Sequence, residues 1–280
     1  MKKILLLVFL FSSLNTFCQQ NKSKEIFDKM MSAMKEVKTC SFVLEINERI
    51  RGELKYDEYV VKLNNNPYKA YIYSVTPNPG AEGLLIEGVN NNKALINPNR
   101  FPFITLSLNP YSMLLRKNHQ YTIWQLGFNF IHEVLEGYLK KFGDAFYTNL
   151  QIEADAVSKG KSFYQLVIEK NDFHFDDYKV LRGENMVTIG QKLLINDYMI
   201  LEANPKYKHF DDAKAGEVIK VPSVYGKKII LYVDKITFLP MVQIIYDNRG
   251  LYGRVELSSF VLNPKFTEMD FSKNNKKYGF

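Results

Sequence analysis

From residue 40 onward, apolar side chains recur at every second position in one run after another, and this alternation restricts the fold more than any other feature. Phe42, Leu44, Ile46 and Ile50 alternate with polar neighbours, and residues 59–63 and 68–75 follow. Successive strand residues point to opposite faces, so the pattern predicts an antiparallel sheet with one apolar face. Pro67, residues 76–80 with two prolines, and the three asparagines 90–92 separate the runs, because these residues favour turns over ladder positions. Residues 84–89 and 94–96 flank the asparagines as a hairpin. Strand patterning resumes at 147–157, 162–169 and 173–180. It returns at 229–233, 241–246 and 252–261, with Asn248, Arg249 and Gly250 as the last tight turn.

Two stretches have helical period instead. Over 24–38, Ile26, Phe27, Met30, Met31, Met34 and Val37 recur at spacings of three and four. Over 121–142, Ile123, Leu126, Phe130, Ile131, Val134, Leu135, Tyr138 and Leu139 form a broad apolar face, and Gly143 is the expected stop. Met30, Met34, Trp124, Phe128 and Phe130 could line an apolar cavity and would look the same as core residues. Residues 101–115 are irregular and apolar.

The chain opens MKKILLLVFLFSSLNTFCQQ. Lys2 and Lys3 precede an apolar run of signal-peptide length, and Thr16 and Cys18 stand at the −3 and −1 positions of a cleavage site. Residues 1–18 are therefore expected to be a signal peptide and the product to be exported, in the periplasm or associated with the outer membrane. Lipidation at Cys18 is the alternative, but Phe17 stands where a small residue normally precedes the modified cysteine. After cleavage Cys40 is the only cysteine, so no internal disulfide forms, and its apolar neighbours predict a buried thiol. The formal net charge is +7, scattered rather than blocked, which suits an anionic surface and argues against a nucleic-acid partner.

No enzymatic constellation stands in the sequence. His119, His132, His174 and His209 have no metal-ligand spacing, and there is no nucleophile elbow, P-loop or dinucleotide fingerprint. The expectation is a non-enzymatic protein with no cofactor. An envelope hydrolase stays open only because separated carboxylates can meet in space.

Between the two strand-rich parts lies a segment of other character. Tyr178 and Val180 suit a strand, Gly183 a turn, and Glu184 and Asn185 a helix start. Val187, Ile189, Leu193 and Leu194 repeat at helical spacing. A second helix over 197–203 ends at Asn204–Pro205, and Gly216 leads into a closing strand, 218–221, stopped by Pro222. This order of aromatic-x-Val, Gly–acid, apolar helix, Leu-x-x-Asn-Pro and Gly-x-x-Ile-x-Val-Pro resembles a LysM domain over residues 178–222. It departs from that pattern at Glu184, Asn185 and Gly190, where Asp, Thr or Ser, and Ala are usual. The resemblance implies binding of peptidoglycan or another N-acetylglucosamine glycan. The implied groove is formed by Gly183, Glu184, Asn185 and Met186 on one side. Asn204, Pro205, Lys206 and Tyr207 form the other, with Leu201 beneath.

The C-terminal run IILYVDKITFLPMVQIIYDNRGLYGRVELSSFVLNPKFTEMDF, together with the N-terminal amphipathic helix, is similar to the LolA/LolB-like carriers and receptors of lipoprotein sorting. That resemblance implies an α+β fold, an antiparallel incomplete β-barrel with a helical lid, discontinuous over 19–177 and 223–280, with the βααβ LysM-like insert between. It also implies a lipid or lipoprotein partner held by its acyl chains, the insert then serving either as a wall tether or only structurally. A domain-of-unknown-function family of envelope proteins is suspected for the combination. The oligomeric state is not legible.

Overall fold

The computed structural model describes residues 20–101 and 103–280; the run read as a signal peptide, and Cys18, lie outside the described residues. A helix over 20–35 (α1) leads into the strands β1 (Thr39–Ile50), β2 (Glu53–Asn65), β3 (Tyr68–Thr76), β4 (Glu82–Ile86), β5 (Ala94–Asn97) and β6 (Leu106–Leu108). The helices α2 (Met113–Arg116), α3 (Asn129–Phe142) and α4 (Ala145–Thr148) follow, then β7 (Leu150–Ser158), β8 (Lys161–Glu169) and β9 (Phe175–Lys179). After α5 (Met186–Leu193) and α6 (Asp197–Ala203) the chain closes with β10 (Val218–Pro222), β11 (Lys228–Asp234), β12 (Pro240–Asp247) and β13 (Gly250–Leu262).

Eleven strands form one open antiparallel sheet in the order β6-β5-β4-β3-β2-β1-β13-β12-β11-β8-β7. Its two ends do not pair with each other. The long strands β1 and β2 join at Arg51–Gly52, both with positive φ, and β13 closes on the other side of β1. The alternation works as the sequence predicts: Cys40, Phe42, Leu44 and Ile46 of β1 and Val61 and Leu63 of β2 face inward. Against them α1 buries Phe27, Met30 and Met34, and α3 buries Ile131, Val134, Leu135 and Tyr138. The methionine stripe is thus core. Each such fully buried side chain contributes roughly 1.5–3 kcal/mol of transfer free energy.

One helix boundary differs from the sequence pattern. The expected helix over 121–142 begins at Asn129. Residues 123–125 form a separate 3-10 turn capped by Thr122, whose Oγ1 accepts from the Trp124 amide. Gly127, at φ +79°, then breaks the chain direction. The stop at Gly143 holds, its amide donating to the Leu139 carbonyl.

The opposite face of the sheet carries a smaller apolar cluster. Phe271, Phe266, Tyr278 and Phe280 of the C-terminal segment cover Tyr71 and Leu84. Tyr71 and Tyr278 stack with ring centroids 3.9 Å apart, and Lys62 Nζ donates to Asp270 and Tyr278 at 2.7 and 3.2 Å.

Residues 175–222 form a βααβ unit with its own two-stranded sheet, β9 against β10. The unit leaves the main sheet between neighbouring strands. β8 pairs with β11, and the Lys170 amide donates to the Lys227 carbonyl at 2.8 Å, so the intervening chain replaces a hairpin loop. Adjacent ends make such a position tolerant of insertion. The unit does not stand apart from the sheet. Met186, Ile189, Tyr198, Met199 and Ile200 belong to the same apolar core as α1 and β1. Tyr252 of β13 donates to Asn196 Oδ1 at 2.9 Å, and Leu194 packs onto Gly137 of α3.

Candidate functional site: a lidded apolar cavity with a charged end

The segment between β6 and α3 crosses the inner face of β1–β5 as a lid. Beneath it lies a cavity of about 200 Å³, lined on the sheet side by Leu44, Ile46, Tyr59, Ile72 and Ile96 and on the lid side by Leu115, Tyr121, Ile123 and Leu126. A smaller space of about 50 Å³ shares Leu44, Ile46, Tyr121 and Leu126 with it and extends toward Phe130, Ile131, Tyr225 and Leu257. Most of the wall is apolar. Ser74 is an exception: it is buried, and its hydroxyl has no hydrogen-bond partner.

The lid is fixed by a buried arginine. Arg116, 0% exposed, donates to Asp197 of α6 through two nitrogens at 2.6 and 2.8 Å and also to the Gln120 carbonyl. Its guanidinium lies 4.4 Å from the centroid of the Phe210 ring. Gln120 Nε2 in turn donates to the carbonyls of Arg49 and Tyr252 at 3.0 and 3.1 Å, tying the lid to β1 and β13. The inserted unit therefore buttresses the lid from above while the sheet holds it from below.

At one end of the cavity three chemical groups converge. Glu48 and Asp57 are both buried. They project from the same face of the β1–β2 pair, since Ile46 is opposite Asp57 and Glu48 opposite Lys55. His119 descends from the lid, its Nδ1 3.3 Å from Asp57 and 3.7 Å from Glu48. Burial alone would lower the imidazole pKa, but the Asp57 and Glu48 carboxylates beside it push it up to about 9. The sequence carried a signal for this. Phe42, Leu44, Ile46 and Ile50 make an inward series that Glu48 interrupts with a charge, and Asp57 lies in phase with inward Tyr59, Val61 and Leu63. The histidine could not be placed, because its partners lie on strands about 60–70 residues away.

The residues assigned to a glycan groove are divided by the structure. Glu184 accepts from Tyr178 Oη, the Leu181 amide and Lys192 Nζ, the last at 2.9 Å. These contacts lower its carboxyl pKa, Lys192 foremost. Asn185 caps α5, its Oδ1 accepting from the Thr188 amide at 2.9 Å, and Gly183 turns with φ +85°. Met186, assigned to one side of the groove, is fully buried, and its amide donates to the Phe210 carbonyl at 2.9 Å. As the first inward position of α5 it is drawn into the common core. Asn204 is also buried; its side chain bonds the Ile200 and Lys220 carbonyls and the Lys220 amide. Leu201, Pro205 and Tyr207 line an open cleft of about 860 Å³ with Arg51, Met113, Leu114 and Arg249. Lys206 pairs with Glu217 at 3.4 Å. Asn185 lines a different cleft, with Tyr111, Gln191 and Asp212. Gly190, which departs from the resembled pattern, has a local reason. A Cβ there would stand 2.9 Å from Asp197 Cβ and 3.1 Å from the Ile195 carbonyl, so the approach of α5 to α6 requires glycine.

An open antiparallel sheet, with helices and a lid over one face and a cavity between them, is the architecture these contacts define. The chain belongs to the DUF1571 family, a protein family of unknown function, whose pattern matches residues 37–181 and so ends within the inserted unit, just after β9. No curated protein matches the chain by sequence. Among solved structures it is similar to MucB, at 7% identity and a TM-score of 0.42, over 91% of this chain and 63% of that one. The chain thus spans less than two thirds of MucB's length. It is also similar to the lipoprotein LppX from Mycobacterium tuberculosis, at 10% identity and a TM-score of 0.42, over 88% of this chain and 98% of that one. A LolA superfamily protein from Nitrosomonas europaea is similar at 12% identity and a TM-score of 0.35, over 90% and 98% of the two chains. No helix among the described residues is long and apolar enough to cross a membrane.

Proposed function

We propose that this protein is an exported envelope protein that binds a lipid or the acyl chain of a lipoprotein in the cavity under its lid, without catalysing a reaction. The supporting observation is the cavity itself. A space of about 200 Å³ whose mostly apolar wall includes Leu44, Ile46, Ile72, Ile96, Leu115 and Leu126 suits a hydrocarbon chain, with polar groups confined to part of the wall. The signal-peptide pattern of residues 1–18 supports export. In this reading the inserted unit is part of the lid's support.

The test is uptake of a fluorescent fatty-acid probe by protein purified without detergent, with native mass spectrometry for co-purified lipid. Ser74→Phe places a ring in the cavity and removes an unpartnered buried hydroxyl, so it should weaken probe binding at least tenfold while the fold persists. Absence of both probe uptake and bound lipid in the wild type would refute the reading.

A second reading, contact of residues 178–222 with peptidoglycan, draws on the cleft lined by Leu201, Pro205 and Tyr207. Aromatic and apolar faces beside backbone donors suit sugar rings. Retention on purified peptidoglycan, reduced by Tyr207→Ala, is its expected outcome; equal retention of wild type and variant would remove it.

A further inference from the structure

We infer that Glu48, Asp57 and His119 form a binding site for one divalent transition-metal ion of the zinc type, open on its fourth side to the cavity. One ligand atom from each of the three residues falls within 4.8 Å of the other two. For metal–nitrogen and metal–oxygen bonds of about 2.0–2.2 Å in tetrahedral array, neighbouring ligand atoms stand about 3.3–3.6 Å apart. His119 Nδ1 lies 3.3 Å from Asp57 Oδ2 and 3.7 Å from Glu48 Oε2, so two of the three ligand–ligand edges are near that spacing, and the third is within 4.8 Å.

The state of Glu48 is the second, independent observation. Its side chain is 1% exposed, and Oε2, the oxygen facing His119, has no hydrogen bond. Leaving such a carboxylate oxygen buried and unbonded carries the desolvation cost of a charged group. Its other oxygen accepts from the Gln120 amide at 3.1 Å, which holds the carboxylate with Oε2 directed into the cluster; such outer bonds commonly orient metal ligands. Charge leads to the same conclusion. Two buried carboxylates carry two negative charges, and even a protonated imidazole balances only one. Arg116 is committed to Asp197 and the Gln120 carbonyl. A divalent ion with a neutral imidazole balances the set. The imidazole ligand suits zinc, copper, iron or nickel better than magnesium or calcium. His119 is 31% exposed at its side chain and, with Glu48, borders the cavity, which provides both an entry path and the open coordination position.

The experiment is calorimetric titration of ZnCl2 into untagged, chelator-stripped protein, with magnesium and calcium titrated in parallel. One zinc equivalent per chain is expected, with little response to magnesium or calcium. His119→Gln and Glu48→Gln, verified as folded by near-ultraviolet circular dichroism, should each weaken zinc binding by about 100-fold or more. If the wild type takes up no zinc, or both folded variants bind as tightly as wild type, the site does not exist. Should either variant fail to fold, the Co²⁺ complex of the wild type decides. Visible bands of four-coordinate cobalt with nitrogen and oxygen ligands support the site, and the weak spectrum of hydrated cobalt overturns it.

Discussion

Replacing Arg116 by methionine tests whether the inserted unit holds the lid. Methionine keeps the length and apolar character of the side-chain stem but removes the guanidinium. Asp197, only 7% exposed, is then left charged with no cationic partner. Removing one member of a buried ion pair costs about 3–5 kcal/mol, because the other charge stays desolvated. The lost stacking on Phe210 adds about 1 kcal/mol. For a chain of this size each kcal/mol lowers Tm by roughly 2–4 °C, so a fall of roughly 8–24 °C is expected. Urea unfolding should be followed both by far-ultraviolet circular dichroism and by the fluorescence of Trp124, the only tryptophan. That residue sits against Tyr68, ring centroids 5.2 Å apart, and reports the lid directly. Removing the charge at the other end, in the double variant Arg116→Met with Asp197→Asn, should recover at least about 2 kcal/mol. The double-mutant cycle then gives a coupling energy of roughly 2–3 kcal/mol. A coupling below about 0.5 kcal/mol would mean that the two residues do not act as a pair and that the lid is held by other contacts.

Other perturbations address separate parts of the molecule. Gly190→Ala gains up to about 1 kcal/mol of helix propensity but forces α5 off α6; overpacking costs about 1–3 kcal/mol, so a net destabilisation is expected by urea titration, and a stabilised variant would contradict the close approach. Burial would raise the carboxyl pKa of Asp247, but Arg49 and the Arg249 amide and charge outweigh it and hold it below the ordinary range. Its contribution is therefore complete above the unfolded value of about 3.9 and is lost as pH falls through the lower folded value; Asp247→Asn should flatten that acid limb and reduce stability at neutral pH, and an unchanged limb would show that the carboxylate does not contribute. The Cys40 thiol, 1% exposed, is pushed up to about 12 by burial. In a Cys18→Ser background it should resist a thiol reagent at pH 8 until denaturant is added, and rapid labelling of the native protein would show that β1 opens locally.

Local pattern was enough to reveal most of the strands and the buried stripe of α1, because side-chain period is a property of a few consecutive residues, but it missed β6 and the first half of β2 and began a strand at residue 147, inside α4. It also marked the βααβ segment, whose caps and glycines are local as well. Pattern misled at residues 121–128, where apolar spacing fits a helix but Gly127 and the Thr122 cap divide the chain. It also misled at Met186, whose burial depends on a partner that the pattern does not contain.

Taken alone, the amino-acid order determined which residues alternate, where the chain turns, and that one sheet face must be covered. Tertiary structure alone decided what covers it. The pairing of β8 with β11 swings the inserted unit back over the sheet. Arg116 then meets Asp197 across 81 residues of sequence, and His119 comes down beside Glu48 and Asp57. The physical reason is that buried charges are stable only beside a partner, and the partner is supplied by chain folding rather than by neighbours in sequence.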